Sequence, residues 1–287
     1  MIVKTEGIAL RVAPLSETSR VVTWLTPDHG KTATLIKGSQ RPKSWFLGQY
    51  DLFYTCQVLF YARERAGLTV ARECYPLKTR TRLRRDWKAA AAASYLADLA
   101  ARVCPPDAPH PGLFRLLDEG LDSLAEHGAA PAFVLWFELK LLEEMGLAPR
   151  LHLCLSCHRS LLAPPTMAGS RFAYARGGIL CAACAGKGND KGARITPDVL
   201  ATLNDWQRAR SAQPTRSTSS SPTQLRAMET LLGQFLVYHL DTALPGRAIA
   251  LATMRSSVPV GASAPLVARS PRDEPPAAGR DRVPRST

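Results

Sequence analysis

The sequence has 287 residues, 46% of them hydrophobic, which is enough apolar material for two or three globular domains of about 150 residues each. No signal-peptide pattern opens the chain and no apolar run approaches the ~18 residues that span a bilayer, which argues against a secreted or membrane protein. The chain is therefore expected to be cytoplasmic. Its formal net charge of +13 indicates a polyanionic partner, such as nucleic acid, rather than a membrane.

The charge is unevenly distributed along the chain. Residues 1–85 carry 15 Lys and Arg against 6 Asp and Glu, a net charge of +9. Residues 86–150 carry 5 against 10, a net charge of −5, and residues 151–210 carry 8 against 3, a net charge of +5. This asymmetry places the expected polyanion-binding region in the first third of the chain.

The hydropathy pattern of residues 1–78 predicts a small β-barrel. Five short segments alternate between apolar and polar residues, and turn signals such as "PDHG" separate some of them. The fourth, "YDLFYTCQVLFY", is predicted as one long strand with Leu52, Tyr54, Cys56, Val58 and Phe60 on the same face. The pattern favours an OB-fold nucleic-acid-binding domain, and an SH3-like barrel fits it nearly as well.

Helical periodicity begins at Asp86, an N-cap residue ahead of an alanine-rich segment. Further amphipathic segments follow, some of them opening with a proline, and predict an all-α domain in two parts, residues 79–150 and 189–255. The serine-rich stretch "SAQPTRSTSSSP" is predicted to be a loop. Residues 256–287 contain almost no large apolar side chains and are expected to form a disordered tail.

Residues 151–188, between the two helical parts, contain two CxxC pairs, Cys154 with Cys157 and Cys181 with Cys184. Such pairs predict a Cys-four zinc ribbon, although the 23 intervening residues make the spacing slightly longer than usual. Four thiolates leave no open coordination position, so we interpret the zinc as structural. Four unligated cysteines and a thioredoxin-like redox pair fit the pattern less well.

The sequence contains no constellation typical of an enzyme. It has no phosphate-binding GxxxxGK[ST] loop, no GxGxxG, no GxSxG and no HExxH. A zinc deaminase would need HxE ahead of PCxxC, and neither cysteine pair follows a proline. We therefore predict a non-enzymatic protein.

Two basic clusters are the candidate nucleic-acid contacts. "KGSQRPKSW" supplies Lys37, Arg41 and Lys43 in a loop, and "KTRTRLRRDWK" supplies Arg80, Arg82, Arg84 and Arg85 before the first helix. Cations bind phosphates, and aromatic side chains can stack on bases. Four aromatic residues of this region are candidates for stacking, two of which, Trp24 and Tyr61, are better explained as core residues: Trp24, Trp45, Phe46 and Tyr61.

The order of these parts resembles the bacterial recombination mediator family RecO over about residues 1–255. The resemblance rests on a T-x-G-I start, a Ser-Glu pair, a T-x-x-x-G turn and a K-G followed by basic residues. The matching positions here are Thr5, Gly7, Ile8, Ser16, Glu17, Thr26, Gly30, Lys37, Gly38, Arg41 and Ser44. The helix "FELKLLEEMGLAP" leading into "CLSCH" and the segment "FLVYHLDTAL" also match, whereas "SQRPKSWFLG" departs from the family pattern.

The resemblance implies an OB-fold head, a helical body with an inserted zinc ribbon, and binding of single- and double-stranded DNA. It also implies annealing of complementary strands and help in loading RecA onto single-stranded DNA coated by single-strand-binding protein (SSB), with RecR and SSB as partners at the nucleoid. Family members without the cysteines exist, so the metal is not essential to the general mechanism. The alternatives are a zinc-ribbon RNA-binding module in transcription or translation and, less well supported, a zinc hydrolase.

Overall fold

The structure is a computed structural model that describes residues 2–61, 68–186, 192–212, 215 and 220–256. The chain divides into one unit, Met1–Arg255, and a second, Ser256–Thr287. Residues 257–287 of the predicted tail, and residues 213, 214 and 216–219 of the predicted loop "SAQPTRSTSSSP", lie outside the described residues.

Five strands close into a barrel at the start of the chain: β1 (Ile2–Pro14), β2 (Arg20–Thr26), β3 (Gly30–Ile36), β4 (Thr55–Tyr61) and β5 (Thr69–Lys78). Their order around the barrel is β1-β2-β3-β5-β4. β3 and β5 are parallel, and the other neighbours are antiparallel. This arrangement is an OB fold, which confirms that prediction and rules out the SH3-like alternative.

The barrel interior contains Trp24, which is buried as predicted and donates a hydrogen bond from Nε1 to Thr34 Oγ1 at 2.8 Å. Two expectations for this region are wrong. β4 begins at Thr55, because Phe53 has a φ of +66° that breaks the extended backbone, and Leu52 is exposed. Tyr61, expected in the core, is half exposed at the end of β4.

The turn between β2 and β3 explains the T-x-x-x-G pattern. Thr26 Oγ1 accepts a hydrogen bond from His29 N and donates one to Gly30 O, closing the turn. Gly30 has a φ of +59°, and a Cβ at this position would lie 2.1 Å from the carbonyl oxygen of Ala108. Only glycine therefore allows the turn to press against the loop at residue 108.

The helical body, together with the cysteine segment inserted in it, follows the barrel and includes eight α-helices within the described residues. They are α1 (Trp87–Val103), α2 (Pro111–His127), α3 (Pro131–Glu144), α4 (Pro164–Met167), α5 (Ala182–Ala185), α6 (Pro197–Arg208), α7 (Pro222–Leu240) and α8 (Pro245–Arg255). Asp86 caps α1 as predicted, since its Oδ1 accepts from the backbone N–H groups of Lys88 and Ala89. α8 is a separate helix, whereas the sequence pattern did not distinguish it from the segment of α7.

A buried polar cluster joins three of these helices. Glu138 of α3 is fully buried, and its carboxylate accepts hydrogen bonds from Tyr95 of α1 at 2.6 Å and from Arg247 of α8 at 2.7 Å. Arg247 also donates to the second oxygen of Glu138 at 3.0 Å. A bidentate pair of this kind supplies the buried carboxylate with the partners that it needs.

The cysteine segment forms its own small sheet: β6 (Arg150–Cys154), β7 (Arg171–Ala173), β8 (Gly178–Leu180) and β9 (Ala193–Arg194), in the order β6-β8-β7-β9. Because β9 belongs to it, the sheet extends beyond residue 188, which was the predicted end of the insertion. Phe172 of β7 packs against Phe235 of α7 with ring centroids 5.6 Å apart. Asn204 of α6 donates to the carbonyl of Leu151 at 3.3 Å. The sheet therefore rests on the helical body.

Candidate metal centre and nucleic-acid surface

The four predicted ligand cysteines come together at one end of the small sheet. Cys154 ends β6, and Cys157 lies in the turn that follows. Cys181 is the N-cap of the single helical turn after β8, and Cys184 lies within that turn. Their four Sγ atoms lie within 4.8 Å of one another. His152 and His158 are exposed, and the metal-binding group found among the described residues contains these four cysteines without a histidine.

The sulfur geometry fits a tetrahedral metal site. A tetrahedron with metal–sulfur bonds of about 2.3 Å has edges of about 3.8 Å. The Sγ atoms of Cys157 and Cys181 are 3.7 Å apart. The donor set is therefore suited to a soft or borderline divalent metal ion bound by four thiolates.

Backbone amides favour the thiolate form at Cys154. Burial by itself would raise the pKa of this thiol, but the backbone N–H groups of Cys181, Cys157 and Ser156 lower the pKa to about 6. The Cys181 N–H lies 3.4 Å from Cys154 Sγ. By contrast, hydrogen bonds with the Cys181 and Cys157 side chains raise the pKa of Cys184 to about 12. A bound cation would instead favour the thiolate form at all four cysteines, including Cys184.

The loop between β3 and β4 presents the first basic cluster. Lys37, Arg41 and Lys43 are exposed on it. The loop is fixed at both ends: Gly38 N donates to Ser19 Oγ at 3.1 Å, and Gln49 O lies 3.5 Å from Cys56 Sγ. The cations are thus displayed on an ordered segment of the barrel.

The second cluster occupies a short 3-10 helix, Thr81–Arg84, and the residue after it. Arg82, Arg84 and Arg85 are exposed. Arg84 forms an ion pair with Asp51 and lies over the Tyr54 ring, 5.5 Å from its centroid. Because Asp51 belongs to the end of the β3–β4 loop, this pair joins the second cluster to the segment that carries the first.

Arg80 does not belong to the exposed surface. Its side chain is 3% exposed. It donates from Nη1 to Phe53 O at 2.7 Å and Thr55 Oγ1 at 2.9 Å, from Nε to Asp122 at 2.6 Å, and from Nη2 to two oxygens of Asp118. All five N–H donors of the guanidinium are used within the protein. The prediction that Arg80 contacts phosphate is therefore wrong.

Lys78, Arg80, Asp118 and Asp122 form what we call the barrel–helix clamp, because they tie β5 and the residues after it to α2. Lys78 pairs with both carboxylates. Burial tends to raise the pKa of Asp118, but hydrogen bonds from Lys78, Thr55 and Arg80 lower it below the usual range. The sequence reading missed this clamp, although two aspartates one helical turn apart on α2 signal a shared basic partner.

Among the described residues, no helix combines the length and the apolar character that crossing a bilayer requires.

Comparison with known proteins covers most of the chain. The family model described as Recombination protein O N terminal matches residues 1–80, and the model described as Recombination protein O C terminal matches residues 84–248. The DNA repair protein RecO of Moorella thermoacetica is 32% identical over 251 residues, which are 85% of this chain and 89% of that protein.

The same protein of Anaeromyxobacter sp. (strain K) is 32% identical over 245 residues, which are 85% of this chain and 94% of that protein. In Geobacter metallireducens the DNA repair protein RecO is 32% identical over 241 residues, 84% of this chain and 93% of its own. Taken with the OB barrel and the helical body, these matches over both parts show that the chain belongs to the RecO family.

Proposed function

We propose that the chain is a non-enzymatic recombination mediator in DNA repair. In this role it binds single- and double-stranded DNA, anneals complementary strands and assists the loading of RecA onto single-stranded DNA coated by SSB. Membership of the RecO family over both the barrel and the helical body is the observation that carries this proposal. RecR and SSB are the proposed protein partners, and the nucleoid in the cytoplasm is the proposed location.

The proposed mechanism is electrostatic. Six exposed cations of the two clusters, Lys37, Arg41, Lys43, Arg82, Arg84 and Arg85, are candidates to neutralise phosphates. Two complementary strands repel each other through their phosphates, and binding both to one basic surface reduces that repulsion and raises their local concentration. Base pairing then supplies the sequence specificity, so the protein need not read bases to anneal strands.

The cysteine cluster is proposed to hold Zn²⁺ through Cys154, Cys157, Cys181 and Cys184. In such a site the ion cross-links β6 to the turn after β8 and leaves no position for water or substrate. The contribution of these residues is therefore structural. They hold the small sheet in the shape that packs on α6 and α7.

The salt dependence of DNA binding tests the electrostatic mechanism. If the six cations each contact one phosphate, log Kd should change with log salt concentration with a slope of magnitude about 4 to 5. Reversing Arg84 and Arg85 to glutamate should lower the magnitude of the slope by about 2 and weaken binding similarly on unrelated sequences. Reversing Arg208 and Arg226, exposed arginines of α6 and α7, is the matched control and should leave the slope unchanged. A salt-independent affinity would contradict the mechanism.

Strand annealing separates the proposal from the RNA-binding alternative. Complementary DNA strands coated with SSB should anneal faster with the protein than without it, as measured by fluorescence quenching between end labels. Binding of RNA without acceleration of DNA annealing would favour the RNA-binding module instead. Capture of purified RecR by the immobilised full chain tests the proposed partner separately.

A further inference from the structure

Trp45 stands out among the five tryptophans because it is 95% exposed. Trp24, Trp136 and Trp206 are buried, and Trp87 is partly buried. An indole left in water forgoes the favourable burial of its apolar surface, so the exposed ring of Trp45 is available to a ligand that would cover it.

The loop that carries Trp45 is anchored by the residues that directly follow Trp45. Phe46, the next residue, packs against the barrel core. The carbonyl oxygen of Gln49 lies 3.5 Å from Cys56 Sγ and 3.7 Å from Cys74 Sγ, which ties the loop to β4 and β5. Trp45 is thus presented by a fixed backbone.

A pocket of about 420 Å³ lies between this loop and β5, with Trp45, Phe46, Arg72 and Tyr75 among its lining residues. Tyr75 is half exposed, and its hydroxyl donates to Glu73 Oε2 at 3.1 Å. Arg72 Nε lies 3.2 Å from the other oxygen of Glu73. Glu73 therefore orients both an aromatic ring and a guanidinium beside the pocket.

We propose that Trp45 and Tyr75 form a stacking site for an unpaired base of a single DNA strand. Aromatic rings and a guanidinium offer flat surfaces to any base, so the site needs no sequence preference. Exposed Lys37, Arg41 and Lys43 on the same loop are placed to hold the phosphates of the strand whose base is stacked. A paired base is stacked inside its duplex, so this site favours single strands.

The inference rests on the proposed DNA binding, but it adds a contribution to the affinity for single strands that does not depend on the salt concentration. Phosphate contacts release counterions and weaken as salt rises, whereas stacking displaces none. Loss of the stacking site should therefore reduce the affinity for single strands by the same factor at every salt concentration. It should not change the affinity for a strand that has no bases.

The test measures the Kd of the full chain by fluorescence anisotropy for an oligo(dT) strand, an abasic strand of equal length and a duplex, across a salt series. Trp45→Ala should weaken oligo(dT) binding about 10-fold with an unchanged slope, and leave abasic-strand binding within about 2-fold. Trp45→Phe should retain most of the affinity because a ring remains. Leu47→Ala is the matched control, since Leu47 is 55% exposed on the same loop and is not among the residues that line the pocket.

A second readout uses intrinsic fluorescence. Oligo(dT) should quench the wild-type emission by stacking on Trp45, and this quench should be lost in Trp45→Phe. Equal wild-type affinity for oligo(dT) and the abasic strand, or unchanged oligo(dT) affinity in Trp45→Ala, would overturn the stacking site while leaving phosphate binding intact. Failure of the wild type to bind any of the three DNAs would instead overturn the proposed function and the stacking site with it.

Discussion

Neighbouring arginines in this chain lie in opposite environments. Arg80 and Arg82 lie two residues apart in a basic run that looks uniform in the sequence. Arg80 is buried and fully paired with groups of the barrel and α2, whereas Arg82 is exposed. The partners of Arg80, Asp118 and Asp122, come 38 and 42 residues later in the chain. No local pattern in the basic run therefore distinguishes the two arginines.

Replacing these two arginines should separate stability from binding. Arg80→Met leaves Asp118 and Asp122 without their buried cation and should lower the free energy of unfolding by about 3 kcal/mol or more. Arg82→Met should change it by no more than about 0.5 kcal/mol, yet weaken DNA binding and reduce the salt slope by about 1. Urea denaturation of both variants measures the free energy of unfolding, and fluorescence anisotropy measures DNA binding and its salt slope. Similar stability for the two variants would show that the barrel–helix clamp contributes little.

The clamp should also make stability depend on acid pH. The pKa of Asp118 is lowered from 3.8 in the folded chain by hydrogen bonds from Lys78, Thr55 and Arg80, which outweigh the opposing effect of burial. The resulting stabilisation is fully present above the unfolded-state pKa and is lost as the pH falls through the lower folded-state pKa. Asp118→Asn should therefore be less stable than wild type at neutral pH, and the difference should shrink below about pH 4. A difference that stays constant down to pH 2 would contradict this assignment.

At the scale of elements, hydropathy periodicity predicted the five barrel strands and most of the long helices. The errors fall where single backbone angles decide the outcome. The apolar alternation runs through Leu52 and Phe53, yet Phe53 adopts a positive φ and delays β4 until Thr55. α8 was not distinguished because its burial against α1 depends on residues far away in the sequence. The cysteine spacing predicted the metal cluster because two CxxC turns carry their own geometry.

Loss of one ligand cysteine should affect the small sheet before the barrel. If the four cysteines hold Zn²⁺ as proposed, Cys181→Ser should abolish stoichiometric zinc content and add a low-temperature unfolding transition, because the cross-link between β6 and the turn after β8 is lost. Its affinity for DNA at a temperature where the barrel is folded should remain within about 2-fold of wild type. Zinc release measured with a colorimetric chelator, together with calorimetry, checks both points.

His152→Ala is the matched control for the cysteine variant. His152 is an exposed residue of β6, two positions before Cys154. The variant should retain its zinc, because the site is complete with four thiolates. Loss of zinc from His152→Ala would mean that the ligand set is wrong. Loss of DNA binding by Cys181→Ser with normal folding would assign the cysteine cluster a direct role in binding.

At the scale of the whole molecule, the Tyr95–Glu138–Arg247 cluster joins helices from the two halves of the helical body. Arg247→Met should lower the free energy of unfolding by about 3–5 kcal/mol, since it leaves the buried Glu138 carboxylate without its cation. Arg255→Met, a change on the same helix as Arg247, removes a partly exposed ion pair with Glu229 of α7 and should cost no more than about 1 kcal/mol. Denaturant titrations of both variants provide the comparison.

A double variant identifies the cause of that loss. Glu138→Leu combined with Arg247→Met removes both charges and should recover a large part of the stability, because no unpaired charge is left buried. If the double variant is no more stable than Arg247→Met, the loss would come from side-chain packing of Arg247 and not from an uncompensated carboxylate.

The contact between α1 and α8 also has a consequence for how the chain folds during its synthesis. The barrel needs residues no later than Lys78, so it can close soon after it leaves the ribosome. α1 emerges next, but its neighbour α8 begins only at Pro245. Arg247 of α8, the partner of Glu138, follows Glu138 by 109 residues. Until translation has completed α8, the apolar face of α1 has no α8 to cover it, so a nascent chain stalled before residue 245 should be a preferred client for chaperones.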